Sequence, residues 1–177
     1  RMSKKYKELI VRPAIEDGAL GPLISKRQKS IVEDFISKGQ NLNLVAQGEI
    51  DGKAPEKGHY VAPHLFADVS DDHILAKDEI FGPVQVIMPF DTEEEAINIA
   101  NGTDYGLVAS IWTNDGARQM RLAKKLKSGQ VFINNYGAGG GVELPFGGRG
   151  FSGHGREKGF EALFGFSTLK TVASYHQ

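Results

Sequence analysis

A carboxylate and a large aromatic ring lie two residues apart in residues 78–83, directly before a Gly-Pro pair. In an extended segment, residues i and i+2 project to the same side, so we expect Glu79 and Phe81 to face one site together. The carboxylate could accept hydrogen bonds from ribose hydroxyls while the ring packs beside a nicotinamide. The alternative is structural: a turn that enters a strand and buries its Phe.

A second candidate stretch, residues 134–148, follows a predicted strand and begins with polar side chains. In open α/β sheets, ligands bind at the carboxyl ends of the strands, which makes Asn134, Asn135 and the residues after them the favoured wall of a site. The aromatic Phe146 in the same stretch also favours a functional role. The alternative is an ordinary surface loop.

No residue pattern in the chain predicts a metal site or a phosphate-binding loop. The five histidines include no i, i+4 pair with a third ligand nearby. Residues 148–153 fit the G-x-G-x-x-G pattern of dinucleotide-binding loops, but residues 164–177 contain no acid that could bind the ribose. We therefore expect these glycines to form a structural turn.

Strand and helix patterns alternate along the middle of the chain and predict a βαβαβ core at about residues 84–135. A capping box of Thr92 and Glu95 marks one helix start, and Asn114 is the expected N-cap of a second helix. Right-handed crossovers would then give an α/β fold with a largely parallel sheet and flanking helices. The expected strands are residues 84–90, 107–112 and 130–135.

Further elements are expected on both sides of this core. Ser25 and Gln28 form another capping box, which predicts an amphipathic helix that docks through its apolar face. That face consists of Ile31, Val32, Phe35 and Ile36. Residues 42–46 and 61–66 read as strands around an exposed, hairpin-like loop at 48–58. A helix over 155–163 and a final strand over 166–175 complete the prediction.

The chain has 177 residues, a net charge of −1 and no cysteine. The lack of cysteine excludes disulfides, Cys-based metal sites and a cysteine nucleophile within these residues. Balanced charge predicts no nucleic-acid partner, and the lack of an apolar run of about 18 residues predicts no membrane span. The N-terminal residues show no secretory signal, so we expect a reducing compartment such as the cytoplasm.

Seven short motifs follow one another along nearly the whole chain. They are Gly-Pro-Leu-Ile at 21–24, Glu-Ile-Phe-Gly-Pro at 79–83, Pro-Phe-Asp-Thr at 89–92, Ala-Asn-x-Thr-x-Tyr-Gly-Leu at 100–107, Val-x-Ile-Asn at 131–134, Pro-Phe-Gly-Gly at 145–148, and Ser-Gly with Gly-Arg-Glu at 152–157. In this order, the motifs resemble the C-terminal part of the NAD(P)-dependent aldehyde dehydrogenase superfamily.

The resemblance implies oxidation of a small-molecule aldehyde to a carboxylic acid with NAD or NADP, through a thioester on a cysteine. It implies that Glu79 holds the nicotinamide ribose and that Phe81 lies beside the nicotinamide. Phe146 matches an aromatic that lines the aldehyde tunnel, and Asn134, Asn135 and Tyr136 lead into the loop that sets substrate preference. That loop, at residues 137–142, is almost bare of side chains, so no particular aldehyde is inferred from it.

No catalytic residue is expected in this chain, because the resemblance places the nucleophile cysteine and the general-base Glu upstream of it. We expect residues 1–165 to be a partial catalytic domain and residues 166–177 a tail strand for subunit pairing, with the cofactor-binding half absent. Such a fragment would be inactive alone, while the full-length protein would form a homo-oligomer, a dimer or tetramer. Two alternatives remain: a stand-alone, non-catalytic subunit-interaction module, and a relative that reduces acyl phosphates or thioesters.

Overall fold

A computed structural model describes residues 1–136 and 141–176 of the chain. These residues form two compact units, Arg1–Thr92 and Glu93–Gln177. Part of the predicted substrate loop, residues 137–140, lies outside the described residues, as does residue 177. The predicted functional division after residue 165 stays a prediction.

The first unit contains three α-helices, one short 3-10 helix and five β-strands. In chain order they are α1 (Met2–Lys7), β1 (Ile10–Val11), the 3-10 helix (Ala14–Glu16), α2 (Lys26–Lys38), β2 (Asn43–Gln47), β3 (Glu49–Ile50), β4 (His64–Ala67), α3 (Ile74–Lys77) and β5 (Val84–Ile87).

The main sheet of this unit has the strand order β2-β4-β5. Strands β2 and β4 are antiparallel, which confirms the predicted hairpin-like pairing, and β4 and β5 are parallel, with His64 opposite Val84. Within the loop predicted at 48–58, β3 pairs in parallel with β1. Strand β5 ends before residue 90, where the sequence predicted its end, because Pro89 has no N–H to donate to a ladder.

The core of the first unit forms between α2, the strands and α3. Val32 of α2 and Leu65 of β4 are both 0% exposed. The predicted apolar face of α2 is confirmed at Val32, which is buried, and at Phe35 and Ile36, which pack against the core cluster, whereas Ile31 is exposed. Ser25 is the N-cap, as predicted, and its Oγ accepts a hydrogen bond from the Gln28 N–H at 3.1 Å.

Within its described residues, the second unit contains three helices and one pair of strands. They are α4 (Glu93–Ala100), β6 (Val108–Ile111), α5 (Gly116–Lys125), β7 (Gln130–Ile133) and α6 (Ala162–Gly165). Strands β6 and β7 are parallel, with Val108 opposite Gln130. The N-cap of α5 is Asp115 and not the predicted Asn114, because only the residue directly before the helix places its oxygen on the Arg118 N–H, here at 3.0 Å.

The three strands of the predicted βαβαβ core do not share one ladder. Strand β5 belongs to the three-stranded sheet of the first unit, whereas β6 and β7 form a two-stranded sheet in the second. Strands that follow one another in sequence are neighbours in space in only about two-thirds of cases, so alternation alone does not fix strand order. The α/β class and the parallel pairing are as predicted.

For the C-terminal residues, the expected helix is wrong, and the tail strand expected to pair with a second subunit stays a prediction. The helix predicted at 155–163 is reduced to α6, because positive φ angles at Gly155 (87°), Lys158 (61°) and Gly159 (61°) are incompatible with a right-handed helix. Residues 166–176 form no strand and are exposed. A strand needs a partner for its backbone N–H and C=O groups, and no ladder to these residues forms in the described part of this chain.

Candidate functional site

The carboxylate and the ring of the first candidate pair both lie on the surface, between α3 and β5. Glu79 is exposed and Phe81 is 74% exposed, while Ile80 between them is buried at 7% and belongs to the core. The backbone of Phe81 is left-handed, with φ at 55°. We expected the side chains of Glu79 and Phe81 to project to the same side because we took the segment to be extended. The backbone is not extended at Phe81. The structural alternative, a buried Phe, is also wrong.

The turn at residues 79–81, called the 79–81 turn below, is held against helix α2. Gln28 Nε2 donates to the carbonyl oxygens of both Ile80 and Phe81, each at 3.1 Å. Directly after the turn, Gly82 lies so close to Val32 that a Cβ built on it would be 2.4 Å from Cγ2. The turn therefore presents an exposed carboxylate and an exposed apolar ring on a fixed backbone.

The contacts of the Gln28 side chain differ from those that the sequence predicts. The capping box predicted that this side chain would turn back to the start of α2, and instead the side chain reaches residues more than fifty positions away. The backbone half of the prediction holds, because the Gln28 N–H does bond Ser25 Oγ. A contact between residues so far apart in the sequence gives no residue pattern within a short segment from which it could be predicted.

Asn134, the first polar residue of the second candidate stretch, forms side-chain hydrogen bonds with the backbone that follows β6. Its Oδ1 accepts from the Thr113 N–H at 2.9 Å, and its Nδ2 donates to the Thr113 carbonyl at 3.0 Å. Its own backbone is left-handed, with φ at 51°, a conformation that Asn tolerates better than most residues. Asn134 thus fixes the path of the chain into Asn135 and Tyr136, which are both exposed.

Phe146 is half-buried and sits at the base of a backbone loop in the second unit. Phe146 and Glu157 exchange both backbone hydrogen bonds, each at 2.7 Å. The Lys158 ammonium lies 5.7 Å from the centre of the Phe146 ring, a cation–π distance. Just before it, the Pro145 carbonyl accepts from Gln130 Nε2 at 3.1 Å, which joins this loop to β7.

The glycine-rich residues 148–153 form a structural turn, as predicted, and no helix follows directly. Gly150, at φ 57°, pairs with Tyr105 in an isolated antiparallel bridge, and a Cβ there would lie 2.1 Å from the Asp104 carbonyl oxygen. The Phe151 ring packs edge-on against Tyr105, with ring centroids 5.8 Å apart. These glycines allow their backbone to approach the backbone at residues 104–105. This close packing accounts for the glycines without a bound phosphate.

The predicted site residues are thus divided between the two units. Glu79 and Phe81 belong to the first, and Asn134, Asn135, Tyr136 and Phe146 belong to the second. Within residues 1–136 and 141–176, no group of three or more His, Cys, Asp or Glu side chains could hold a metal ion. Among the helices in the same ranges, none combines the length and the apolar character that crossing a membrane requires.

The model of the aldehyde dehydrogenase family matches residues 1–172 of this chain. The chain belongs to the aldehyde dehydrogenase family. The resemblance inferred from the seven motifs is therefore confirmed at the level of the family.

Two curated family members show how similar the chain is to known sequences. The betaine aldehyde dehydrogenase of Rhizobium etli is 42% identical over 166 residues, which are 93% of this chain and 34% of that protein. The NADP/NAD-dependent aldehyde dehydrogenase PuuC of Escherichia coli is 39% identical over 153 residues, or 86% of this chain and 30% of that protein. The chain spans about a third of the length of the curated relatives it matches.

Solved aldehyde dehydrogenase structures share the fold of this chain. A candidate aldehyde dehydrogenase from Burkholderia cenocepacia superposes with a TM-score of 0.93 at 57% identity, over 97% of this chain and 37% of that one. The NAD+ complex of the Bacillus cereus aldehyde dehydrogenase gives a TM-score of 0.86 at 38% identity, over 97% and 35% of the respective chains. The predicted α/β fold of this family is confirmed.

Proposed function

We propose that this chain is the part of an NAD(P)-dependent aldehyde dehydrogenase that supplies cofactor and substrate contacts. The observation that carries the proposal is the exposed carboxylate and ring of Glu79 and Phe81 on a turn that is hydrogen-bonded to α2. Family membership over residues 1–172 and the NAD+ complexes of related structures support the same assignment.

In this proposal, Glu79 accepts hydrogen bonds from the hydroxyls of the nicotinamide ribose, and Phe81 packs beside the nicotinamide. Asn135, Tyr136 and Phe146 contribute to the wall that receives the aldehyde, while Asn134 sets the path of the chain between β7 and that wall. When bound, NAD or NADP accepts the hydride that leaves the substrate. A carboxylate that bonds ribose hydroxyls orients the ring for that transfer.

The nucleophile and the general base of the reaction lie outside these residues in our proposal. The sequence contains no cysteine, so no thiolate in it can form the thioester through which the aldehyde would be oxidised. The general-base Glu that activates water is likewise supplied by another part of the protein. The chain alone should therefore be inactive.

Incubation of the purified chain with aldehydes and either NAD or NADP tests this point. The panel should include betaine aldehyde, because several of the similar proteins are betaine aldehyde dehydrogenases. We expect no aldehyde-dependent formation of reduced nicotinamide. Turnover of any aldehyde would contradict the placement of the catalytic residues outside the chain. Assays of the complete protein with acyl phosphates and thioesters test the alternative. A relative of that kind would reduce these compounds to the aldehyde with NADH or NADPH.

The cofactor assignment is tested by Glu79→Gln in a protein that carries the complete family sequence around these residues. Removing a hydrogen bond to a charged group should weaken cofactor binding or hydride transfer by about 1.5–3 kcal/mol. Asp78→Asn is the matched control, because it neutralises the adjacent exposed carboxylate. Unchanged kinetics of Glu79→Gln, or equal losses in both variants, would remove Glu79 from the cofactor site.

We also propose that the exposed tail pairs with a second copy of the protein, giving a homo-oligomer, a dimer or tetramer, in the cytoplasm. Four large apolar side chains of the tail are at least 83% exposed: Phe166, Leu169, Val172 and Tyr175. The same surface supports the second candidate, a subunit-interaction module without catalysis. Light scattering after removal of residues 166–177 should show a smaller assembly, and an unchanged assembly would contradict the pairing.

A further inference from the structure

We propose that Gln28 is a positioning residue that fixes the backbone of Phe81 and thereby orients the 79–81 turn. The inference rests on the proposed function of that turn as a cofactor contact. It adds a residue that lies on a different element, more than fifty positions earlier in the chain.

The two acceptors of the Gln28 amide belong to the peptide units on either side of the Phe81 Cα. The Ile80 carbonyl is part of the unit that precedes this atom, and the Phe81 carbonyl is part of the unit that follows it. Nε2 carries two hydrogens and donates to both oxygens at 3.1 Å. Because one rigid amide group bonds both peptide planes, it restrains their relative rotation, which is the φ and ψ of Phe81.

Phe81 needs such a restraint because its conformation is unfavourable. Its φ of 55° lies in the left-handed region, which bulky side chains rarely occupy. Residues keep such a conformation only where their surroundings impose it. The Phe81 ring is 74% exposed and therefore makes few contacts that could hold the backbone. The carbonyl bonds to Gln28 are the described interactions that oppose relaxation at this residue.

Gln28 can act as a fixed support because α2 is anchored on both sides of it, at the N-cap and one turn further along the helix. Its backbone N–H donates to the N-cap oxygen of Ser25 at 3.1 Å, which places it in the first helical turn. One turn further on, Val32 is 0% exposed and packs against Gly82, the residue directly after the turn. The amide is thus presented from the rigid, core-packed part of the first unit.

Three variants of the chain, examined without cofactor, test the restraint. Gln28→Glu keeps the size of the side chain and removes its donors, and Gln28→Lys keeps donors at similar reach. Arg27→Gln changes an exposed neighbour on the same helix and serves as the control. The measurement is the backbone N–H order parameter of Ile80, Phe81 and Gly82 by NMR relaxation.

We expect Gln28→Glu to lower these order parameters from about 0.85, the rigid value, to below about 0.6, while Gln28→Lys and Arg27→Gln keep them near the rigid value. Unchanged order parameters in Gln28→Glu would overturn the proposal. Equal loosening in Gln28→Lys would also overturn it, because that variant retains the donors.

Kinetics of the complete protein give the second readout. With the turn loosened, the KM for NAD or NADP should rise roughly 10- to 100-fold in Gln28→Glu, with the KM for the aldehyde unchanged. A stability defect alone would instead lower the active fraction and leave the cofactor KM unaltered, which would contradict a positioning role. A raised KM without loosening of the cofactor-free turn would mean that Gln28 contacts the cofactor directly, and it too would overturn the proposal.

The two proposals fail separately. If Gln28→Glu loosens the turn but Glu79→Gln leaves cofactor kinetics unchanged, the restraint is real and the cofactor role of the turn is wrong. If Glu79→Gln impairs the cofactor step and Gln28→Glu changes no order parameter, the cofactor role stands and the positioning role of Gln28 is wrong.

Discussion

The side-chain amide of Asn134 pairs with both backbone polar groups of Thr113. The Thr113 N–H donates to Oδ1 at 2.9 Å, and Nδ2 donates to the Thr113 carbonyl at 3.0 Å. The Asn134 N–H also donates to the Ile111 carbonyl at 2.7 Å, so three hydrogen bonds join the carboxyl ends of β6 and β7. The side chain of Asn134 thus continues the hydrogen-bond ladder between β6 and β7 beyond the ends of the two strands.

Replacement of Asn134 should therefore destabilise the second unit. Asn134→Ala removes two side-chain hydrogen bonds and leaves a Cβ residue at positive φ, so we expect a loss of about 1–3 kcal/mol of unfolding free energy. Asn134→Gly loses the same bonds without the left-handed strain and should cost less. Urea unfolding followed by the fluorescence of Trp112, the single tryptophan and the neighbour of Thr113, measures both.

Asn135→Ala is the matched control for these variants, because it changes the next asparagine, which is exposed. It should leave the unfolding midpoint within experimental error. If Asn134→Ala were as stable as the parent chain, or if Asn135→Ala were destabilised to the same extent, the pairing with Thr113 would not be the stabilising contact.

Local sequence signals predicted the local structure well. The cap at Ser25 and the apolar face of α2 follow from spacing within a few residues, and the parallel pairing of β6 and β7 follows from the strand-helix-strand order. The expected helix over 155–163 failed for a local reason that the sequence only hinted at, namely positive φ angles at two glycines and at Lys158. Lysine gives no warning of a left-handed conformation, whereas glycine permits one without requiring it.

The sequence indicated which residues to consider for a site, and their roles stay predictions, but it did not give their geometry. Glu79 and Phe81 are exposed as a functional reading requires, but the left-handed Phe81 and the bonds from Gln28 depend on contacts between distant segments. The same holds for Asn134, whose partner lies twenty-one positions earlier in the chain. Hydrogen bonds of this kind follow from the tertiary fold, so residue spacing cannot predict them.

Glu93, at the start of α4, should remain ionised to unusually low pH. Arg121 donates from Nε and Nη2 to its two oxygens, each at 2.9 Å, and Arg118 Nε donates at 3.3 Å. These bonds, chiefly those from Arg121, lower the pKa of Glu93 from 4.5 to about 2. An NMR titration of the side-chain carboxyl should give a midpoint near 2 in the parent chain and a clearly higher one in Arg121→Gln, in which only Arg118 remains to lower the pKa.

The sign of the stability effect follows from this depressed pKa. The folded form holds its proton less tightly than the unfolded form, so the contribution of Glu93 is present above pH 4.5 and is lost as the pH falls to about 2. Glu93→Gln should therefore be less stable than the parent at neutral pH and approach it in acid. Glu94→Gln, at an exposed neighbour, should show no such convergence. A constant stability difference across this range would contradict the ion-pair origin.

Ser25 should contribute to the stability of the first unit through its cap on α2. Its Oγ satisfies the Gln28 N–H at 3.1 Å, one of the helix N–H groups that has no partner within the helix. Ser25→Ala is expected to lower the unfolding free energy by about 1 kcal/mol. Ser30→Ala, at an exposed position within α2, should be neutral or slightly stabilising because Ala favours helix. Equal changes in unfolding free energy for the two substitutions, measured by urea titration, would show that the Ser25 cap does not stabilise the unit.

A side chain at Gly129 should destabilise the second unit, because the backbone at the start of β7 lies directly against the backbone at residues 147–148. A Cβ at Gly129 would lie 1.7 Å from the carbonyl oxygen of Gly147, the residue after Phe146. Gly129→Ala must push that segment away, so we expect a loss of at least about 1–3 kcal/mol of unfolding free energy. The displacement should also weaken the backbone exchange between Phe146 and Glu157, seen as faster hydrogen exchange at both amides.

Gly116→Ala is the matched glycine substitution, because a Cβ at this first residue of α5 meets nothing within 4 Å. Alanine restricts the unfolded chain and favours the helix, so this variant should gain up to about 1 kcal/mol. The opposite signs of the two changes separate a steric requirement from a general effect of replacing glycine. Gly129→Ala with parental stability and unchanged exchange at Phe146 would show that the two backbone segments do not require their close approach.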